Sequence, residues 1–144
     1  MPASLLPFLP LTGDPLPAPR TAFDQALRAL LDDLFAALPT WATQMGFHGY
    51  DDRWPDLSER GRRARLALYA RHRAALVALP EAELTPDEVI DCGITLEALD
   101  AFAFDDGVLR QGAWDALGYV ALLGGGLHEL DPAQGTLTRL EFDR

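Results

Sequence analysis

Lysine is absent from the 144 residues, and cysteine occurs once, at Cys92. One thiol permits no internal disulfide and no multi-cysteine metal site, a usage that fits a reducing cytoplasm. All 12 basic residues are arginine, against 22 carboxylates, for a net charge of −10. The arginine bias fits GC-rich coding, and arginine suits bidentate pairing with carboxylates. A chain this acidic lacks the basic footprint that nucleic acid or an anionic membrane requires of a partner. Long hydrophobic runs are missing too, so no segment approaches the length of a membrane span. The first 17 residues are apolar but hold five prolines and no positively charged leader, a poor secretory signal. The expected compartment is the cytoplasm. A complete His-Glu-x-x-His is also lacking. The nearest string, His128-Glu129-Leu130-Asp131-Pro132, puts proline where the second imidazole belongs. That motif works because two histidines four apart share one helical face and one metal, and proline neither ligates nor continues a helix.

What is present is helical periodicity. At 144 residues with 49% apolar content, one domain with a real core is expected. Residues 1–20 form a proline-rich lead-in, 21–127 a helical segment and 128–144 a polar tail without a clear period; no internal repeat is present. The first helix starts near Thr21, with Phe23, Ala26, Leu27, Leu30, Leu31, Leu34, Phe35 and Leu38 at three- and four-residue intervals. Pro39 ends or kinks it. Trp41 to Met45 reads as a short helical turn stopped by Gly46. A second helix follows the N-cap Ser58 and runs to about Leu79, with Leu66, Tyr69, Leu76 and Leu79 inward. Thr85-Pro86-Asp87-Glu88 sets out a capping threonine, a first-position proline and a capping-box glutamate. The helix it starts should reach about Phe104 and bury Val89, Ile90, Ile94, Leu96, Leu99 and Phe102. Trp114 to Leu123 reads as a short fourth helix, with Gly124-Gly125-Gly126 stopping it or marking a tight turn. The fold class is therefore all-α, an antiparallel bundle of about three main helices plus a short fourth, with irregular ends.

Charge supports the antiparallel pairing. Residues 58–79 carry six arginines and one glutamate, whereas 80–109 carry nine carboxylates and no base. With only Pro80 to Leu84 between them, the second and third helices should be neighbours. Arg60, Arg62, Arg63 and Arg65 are then expected near Glu97, Asp100, Asp105 and Asp106, and Arg71 and Arg73 near Asp87, Glu88 and Asp91. The alternative is two independently solvated faces. Each exposed pair contributes only about 0–1 kcal/mol, so apolar stripes supply the stability and charge sets register.

Few residues suggest chemistry. His48 lies beside Tyr50, Asp51, Asp52 and Arg53, and a histidine with two carboxylates suits acid/base or metal work. The structural alternative is a polar turn in which the aspartates satisfy backbone donors and pair Arg53, with Trp41, Tyr50 and Trp54 packed beneath. His72 lines up with Tyr69 and Leu76, as a hydrogen-bonded core or boundary histidine would. Cys92 has no evident basic neighbour to activate it and reads as a small buried hydrophobe. Gly124 to Gly126 lacks the following Lys-Ser/Thr and the preceding strand of a phosphate loop. Asp32-Asp33 and Asp105-Asp106 are adjacent rather than facing, and read as solvated.

Ala37-Leu38-Pro39-Thr40-Trp41-Ala42-Thr43, then Gly46-x-His48-x-Tyr50-Asp51-Asp52-Arg53-x-Pro55-Asp56-Leu57-Ser58, resembles the N-terminal region of a bacterial family catalogued as domain of unknown function 885. The resemblance continues through the arginine-rich helix and Leu84-Thr85-Pro86-Asp87-Glu88-Val89-Ile90-Asp91 and covers roughly residues 20–127; the tail departs from it. It implies a largely helical, zincin-like metallopeptidase several times longer than this chain, with a His-Glu-x-x-His far towards its C-terminus. None of those catalytic positions exists here. The resemblance thus implies zinc for full-length relatives, and no catalytic residue, metal ligand or cofactor in this chain. The expected function is an N-terminal helical portion of such a peptidase, truncated or split and inactive alone, its partner being the missing catalytic portion. The alternative is a stand-alone module that binds another protein through exposed apolar surface. A third reading, an enzyme built on His48 and its aspartates, remains open at this point.

Overall fold

The start signals legible in the sequence organise the helices. In the computed structural model, residues 18–129 are described and form α1 (Ala22–Ala37), α2 (Pro39–Gln44), α3 (Glu59–Val77), α4 (Pro86–Phe104) and α5 (Ala116–Glu129), with no strand among them. Thr21 caps α1 by accepting from Asp24 N at 3.0 Å, and the Asp24 carboxylate returns to Thr21 N. Thr85 and Glu88 make the expected box on α4 behind Pro86. Glu88 also ties two helices together: one carboxylate oxygen accepts from Thr85 N at 2.7 Å, the other from the Thr21 hydroxyl at 2.6 Å. Pro39 ends α1 and opens α2 at its first position, where a missing N–H costs nothing. Gly46, at φ 83°, supplies the left-handed residue that turns the chain out of α2.

α3 packs between α1 and α4. The buried cluster joins Phe23, Leu30 and Leu34 of α1, Leu68, Tyr69 and Leu76 of α3, and Cys92 and Leu99 of α4. Burying each large apolar side chain contributes about 1.5–3 kcal/mol. This all-α bundle is the expected fold class, and His72 and Cys92 are buried as expected.

Four expectations are corrected. Val89, Ile90 and Ile94 face outward. Ile90 and Ile94 each lie two residues from the buried Cys92, about 200° around the helix, so the row through Cys92 and Leu99 excludes them. Trp54 is exposed rather than packed beneath the turn. α5 begins later than expected and runs through Gly124–Gly126. Its packing on α2 offsets the weak helix propensity of glycine, and Gly125 lies close enough to α2 that a Cβ there would touch the Gln44 side chain. The charge register also shifts. Arg65 meets Asp106 as expected, but Arg73 pairs with Asp100 and Arg71 with Asp33 of α1, while Arg60, Arg62 and Arg63 pair locally with Asp56 and Glu59. From Arg65 to Arg73 along α3, the partner moves back from Asp106 to Asp100, so the helices are antiparallel. Arg71 diverges because α1 flanks α3 on its other side. The lead-in up to Pro17 and the tail from Leu130 lie outside the described residues.

These ion pairs, with the Thr21–Glu88 hydrogen bond, should make the fold acid-sensitive. The His72 hydrogen bond, then Arg71, hold the Asp33 carboxyl below its ordinary value; Arg73 does so for Asp100 and the Thr21 hydroxyl for Glu88. Arg62 and Arg63 bring Glu59 down to about 2. A carboxylate depressed in the folded state binds more protons unfolded, so its stabilisation is present above the unfolded value near pH ~4 and is lost as pH falls through the folded one. Melting followed by circular dichroism should give a midpoint that drops steadily below about pH 4. A midpoint unchanged to pH ~2.5 would contradict this account.

Candidate functional site

The 46–58 turn sits on an aromatic shelf. Phe35 of α1 meets Phe47 with ring centroids 4.6 Å apart, Trp41 at 5.6 Å and Tyr50 at 6.2 Å, and Trp41 reaches Phe102 of α4 edge-on at 6.1 Å. Above it, the Thr43 hydroxyl donates to Asp51 Oδ1 at 2.7 Å, and His48 Nδ1 lies 2.9 Å from Asp51 Oδ2. Because an ionised carboxylate only accepts, that contact puts a proton on Nδ1. Asp52 pairs with Arg53 at 3.3 Å, and the Arg53 guanidinium lies over the Tyr50 ring. The five residues singled out in sequence thus share one short segment, but only Tyr50 and Asp51 turn inward. His48 has the orienting carboxylate of a general base, but the described cavity is lined by none of these five residues.

A zinc ion does not fit the donors here. Among the described residues no group of three or more His, Cys, Asp or Glu side chains stands where it could hold a metal ion. His48 has one carboxylate beside it, and that carboxylate also serves Thr43. His72 has Asp33 at 2.8 Å, but Arg71 is 2.6 Å from the same oxygen and would repel a cation. Burial raises the Cys92 thiol, which opposes the thiolate a metal needs. The side chain of His128 lies outside the described residues.

The cavity lies elsewhere, at the first turn of α3. It encloses about 290 Å³ between Ser58 and Arg65 of α3's start, the π-helical turn Asp105–Leu109 that extends α4, the 3-10 turn Gln111–Ala113 and the beginning of α5. Arg65 forks onto Asp106, with Nε and Nη2 each 2.8 Å from a carboxylate oxygen, and the Tyr69 hydroxyl joins at 3.1 Å. Burial, then the Asp106 charge, push the Tyr69 phenol well above its ordinary value. Arg62 forks onto Glu59 and also donates to the Asp106 carbonyl at 2.8 Å. Arg110, the one non-glycine at positive φ among the described residues (49°, ψ 46°), brings its side chain to the rim.

Asp33 and Asp106, read in sequence as solvated, are therefore structural ion-pair partners. Charge complementarity anticipates the Arg65–Asp106 pair. Nothing in the sequence signals the cavity, because it depends on Arg110 adopting a backbone conformation that arginine seldom takes.

A family model described as "Bacterial protein of unknown function (DUF885)" matches residues 39–124. No curated protein and no solved structure matches the chain. The matched stretch leaves out Phe35 but spans the shelf aromatics Trp41, Phe47, Tyr50 and Phe102, the His48–Arg53 turn, the α3–α4 pair and most of α5. With well over half its length matched, the chain belongs to the bacterial family of unknown function DUF885.

Proposed function

We propose that this chain is a non-catalytic helical portion of a zinc metallopeptidase, inactive alone, which packs against a portion carrying the zinc chemistry. The supporting observation is a set of outward apolar side chains running from the π-helical turn into α5: Val108, Trp114, Leu117, Val120 and Leu123, with Trp114 68% and Leu117 77% exposed. Large exposed apolar surface of this kind marks an interaction site. Pro132, standing where a His-Glu-x-x-His would have its second imidazole, supports placing hydrolysis in the other portion. A second reading, a stand-alone module that binds another protein, is favoured by the core of α1, α3 and α4, which closes without these residues.

Sedimentation velocity on the purified chain separates the readings. The first expects open-ended, concentration-dependent self-association, weakened by Leu117→Glu, with no zinc retained after dialysis and no peptide cleaved. A finished module expects a single monomer or one defined dimer. Stoichiometric zinc together with peptide hydrolysis would overturn both.

A further inference from the structure

We propose that the cavity at the start of α3 binds the C-terminal carboxylate of a peptide whose last residue is apolar, with Arg110 receiving the carboxylate. Of the three arginines lining the cavity, Arg62 and Arg65 are committed to bidentate carboxylate pairs with contacts of 2.6–2.8 Å. Arg110 has only a long contact, 3.6 Å to Glu59, and is half-exposed. The acids on the lining are engaged as well: Asp106 with Arg65 and Tyr69, Glu59 with Arg62 and Arg63, and Asp115 with Leu117 N at 3.0 Å. The guanidinium with donors to spare is therefore at the rim, and the positive end of the 19-residue α3 opens onto the same space.

The rest of the lining selects the body of the ligand. Leu57, Ala113 and Leu122 are apolar, and Tyr119 offers its ring because its hydroxyl is spent on the Gly112 carbonyl at 2.6 Å. Gln111 contributes an amide, whose donor and acceptor match a peptide unit. About 290 Å³ is at the small end of ligand cavities, room for one apolar side chain and its carboxylate. An arginine fork favours a planar carboxylate over a neutral amide. This assignment is independent of the docking surface on α5 and stands or falls separately.

The probe is acetyl-Gly-Phe, titrated into the full chain and followed by amide NMR shifts, with acetyl-Gly-Phe carboxamide as control. Saturable shifts centred on Gly112, Gly118 and Tyr119 are expected, with the carboxamide about tenfold weaker. Arg110→Gln should weaken the acid about tenfold and leave the carboxamide unchanged. Ala113→Leu, which adds side-chain bulk to the lining and leaves the Arg110 guanidinium present, should abolish both. Equal affinity for acid and amide, shifts that miss these residues, an Arg110→Gln variant that binds the acid as before, or no saturable shift would each overturn the assignment.

Discussion

Replacing Gly61 by alanine or valine is expected to destabilise the protein by about 2–3 kcal/mol. Gly61 is buried in the first turn of α3. A Cβ built on it would overlap the Asp56 carbonyl oxygen and stand 2.7 and 2.8 Å from the Asp56 side chain. The obstacle cannot step aside cheaply. The Asp56 carbonyl accepts from Arg65 Nη1 at 2.8 Å, and its carboxylate accepts from Ser58 N at 3.0 Å, so movement of Asp56 would break the lead into the helix and loosen Arg65. Because the clash is with the first side-chain carbon, alanine suffices.

The same exchange elsewhere should have the opposite sign. Gly93 sits mid-helix in α4 with nothing within 4 Å of its would-be Cβ, so Gly93→Ala should stabilise by about 0.5–1 kcal/mol through helix propensity alone. Urea denaturation of the two alanine variants side by side measures both. A Gly61→Ala variant as stable as the parent would mean that the 56–61 approach is not tight.

Gly61 shows where a sequence stops informing. The caps of α1 and α4 are legible because Thr21, Thr85, Pro86 and Glu88 act within one turn, and a local chemical pattern has a local geometric outcome. Pro39 is legible for the same reason. The outward turn of Val89, Ile90 and Ile94 is not, since α4 is apolar on several faces and only packing against α3 decides which row is buried. The helix through Gly124–Gly126 is set by α2, more than 70 residues earlier in the chain, which overrides local propensity. Of the site, His48, Tyr50, Asp51, Asp52 and Arg53 form a recognisable polar string, and the aspartate bonded to His48 sits three residues after it. The α3 cavity is assembled from four separate elements and the backbone of Arg110. No single stretch of sequence contains it.

Asp106→Ala is expected to cost about 2–3 kcal/mol, although Asp106 and Arg65 look like an ordinary helix-to-helix ion pair. The pair is mostly buried, with side chains 20% and 12% exposed, and both guanidinium contacts are 2.8 Å. Removing the carboxylate leaves Arg65 with only the Asp56 carbonyl and leaves the Tyr69 hydroxyl without its acceptor. An isolated buried charge costs more still, about 3–5 kcal/mol, but the residual exposure lets water reach the guanidinium and lowers the figure. Arg73 and Asp100 join the same two helices with similar contacts, yet both are half-exposed. Asp100→Ala should therefore cost clearly less than Asp106→Ala. If the two alanine variants lose equal stability, burial is not what distinguishes the pairs.

The titration of Tyr69 gives an independent readout. Its phenol is raised first by burial and then by the Asp106 charge, so the folded state keeps its proton above pH ~10 while the unfolded chain releases it. Stability is present below that value and declines as pH rises towards the folded one. Without Asp106 the folded phenol titrates lower, so the alkaline decline in melting temperature should be shallower in Asp106→Ala than in the parent, even as stability at neutral pH falls.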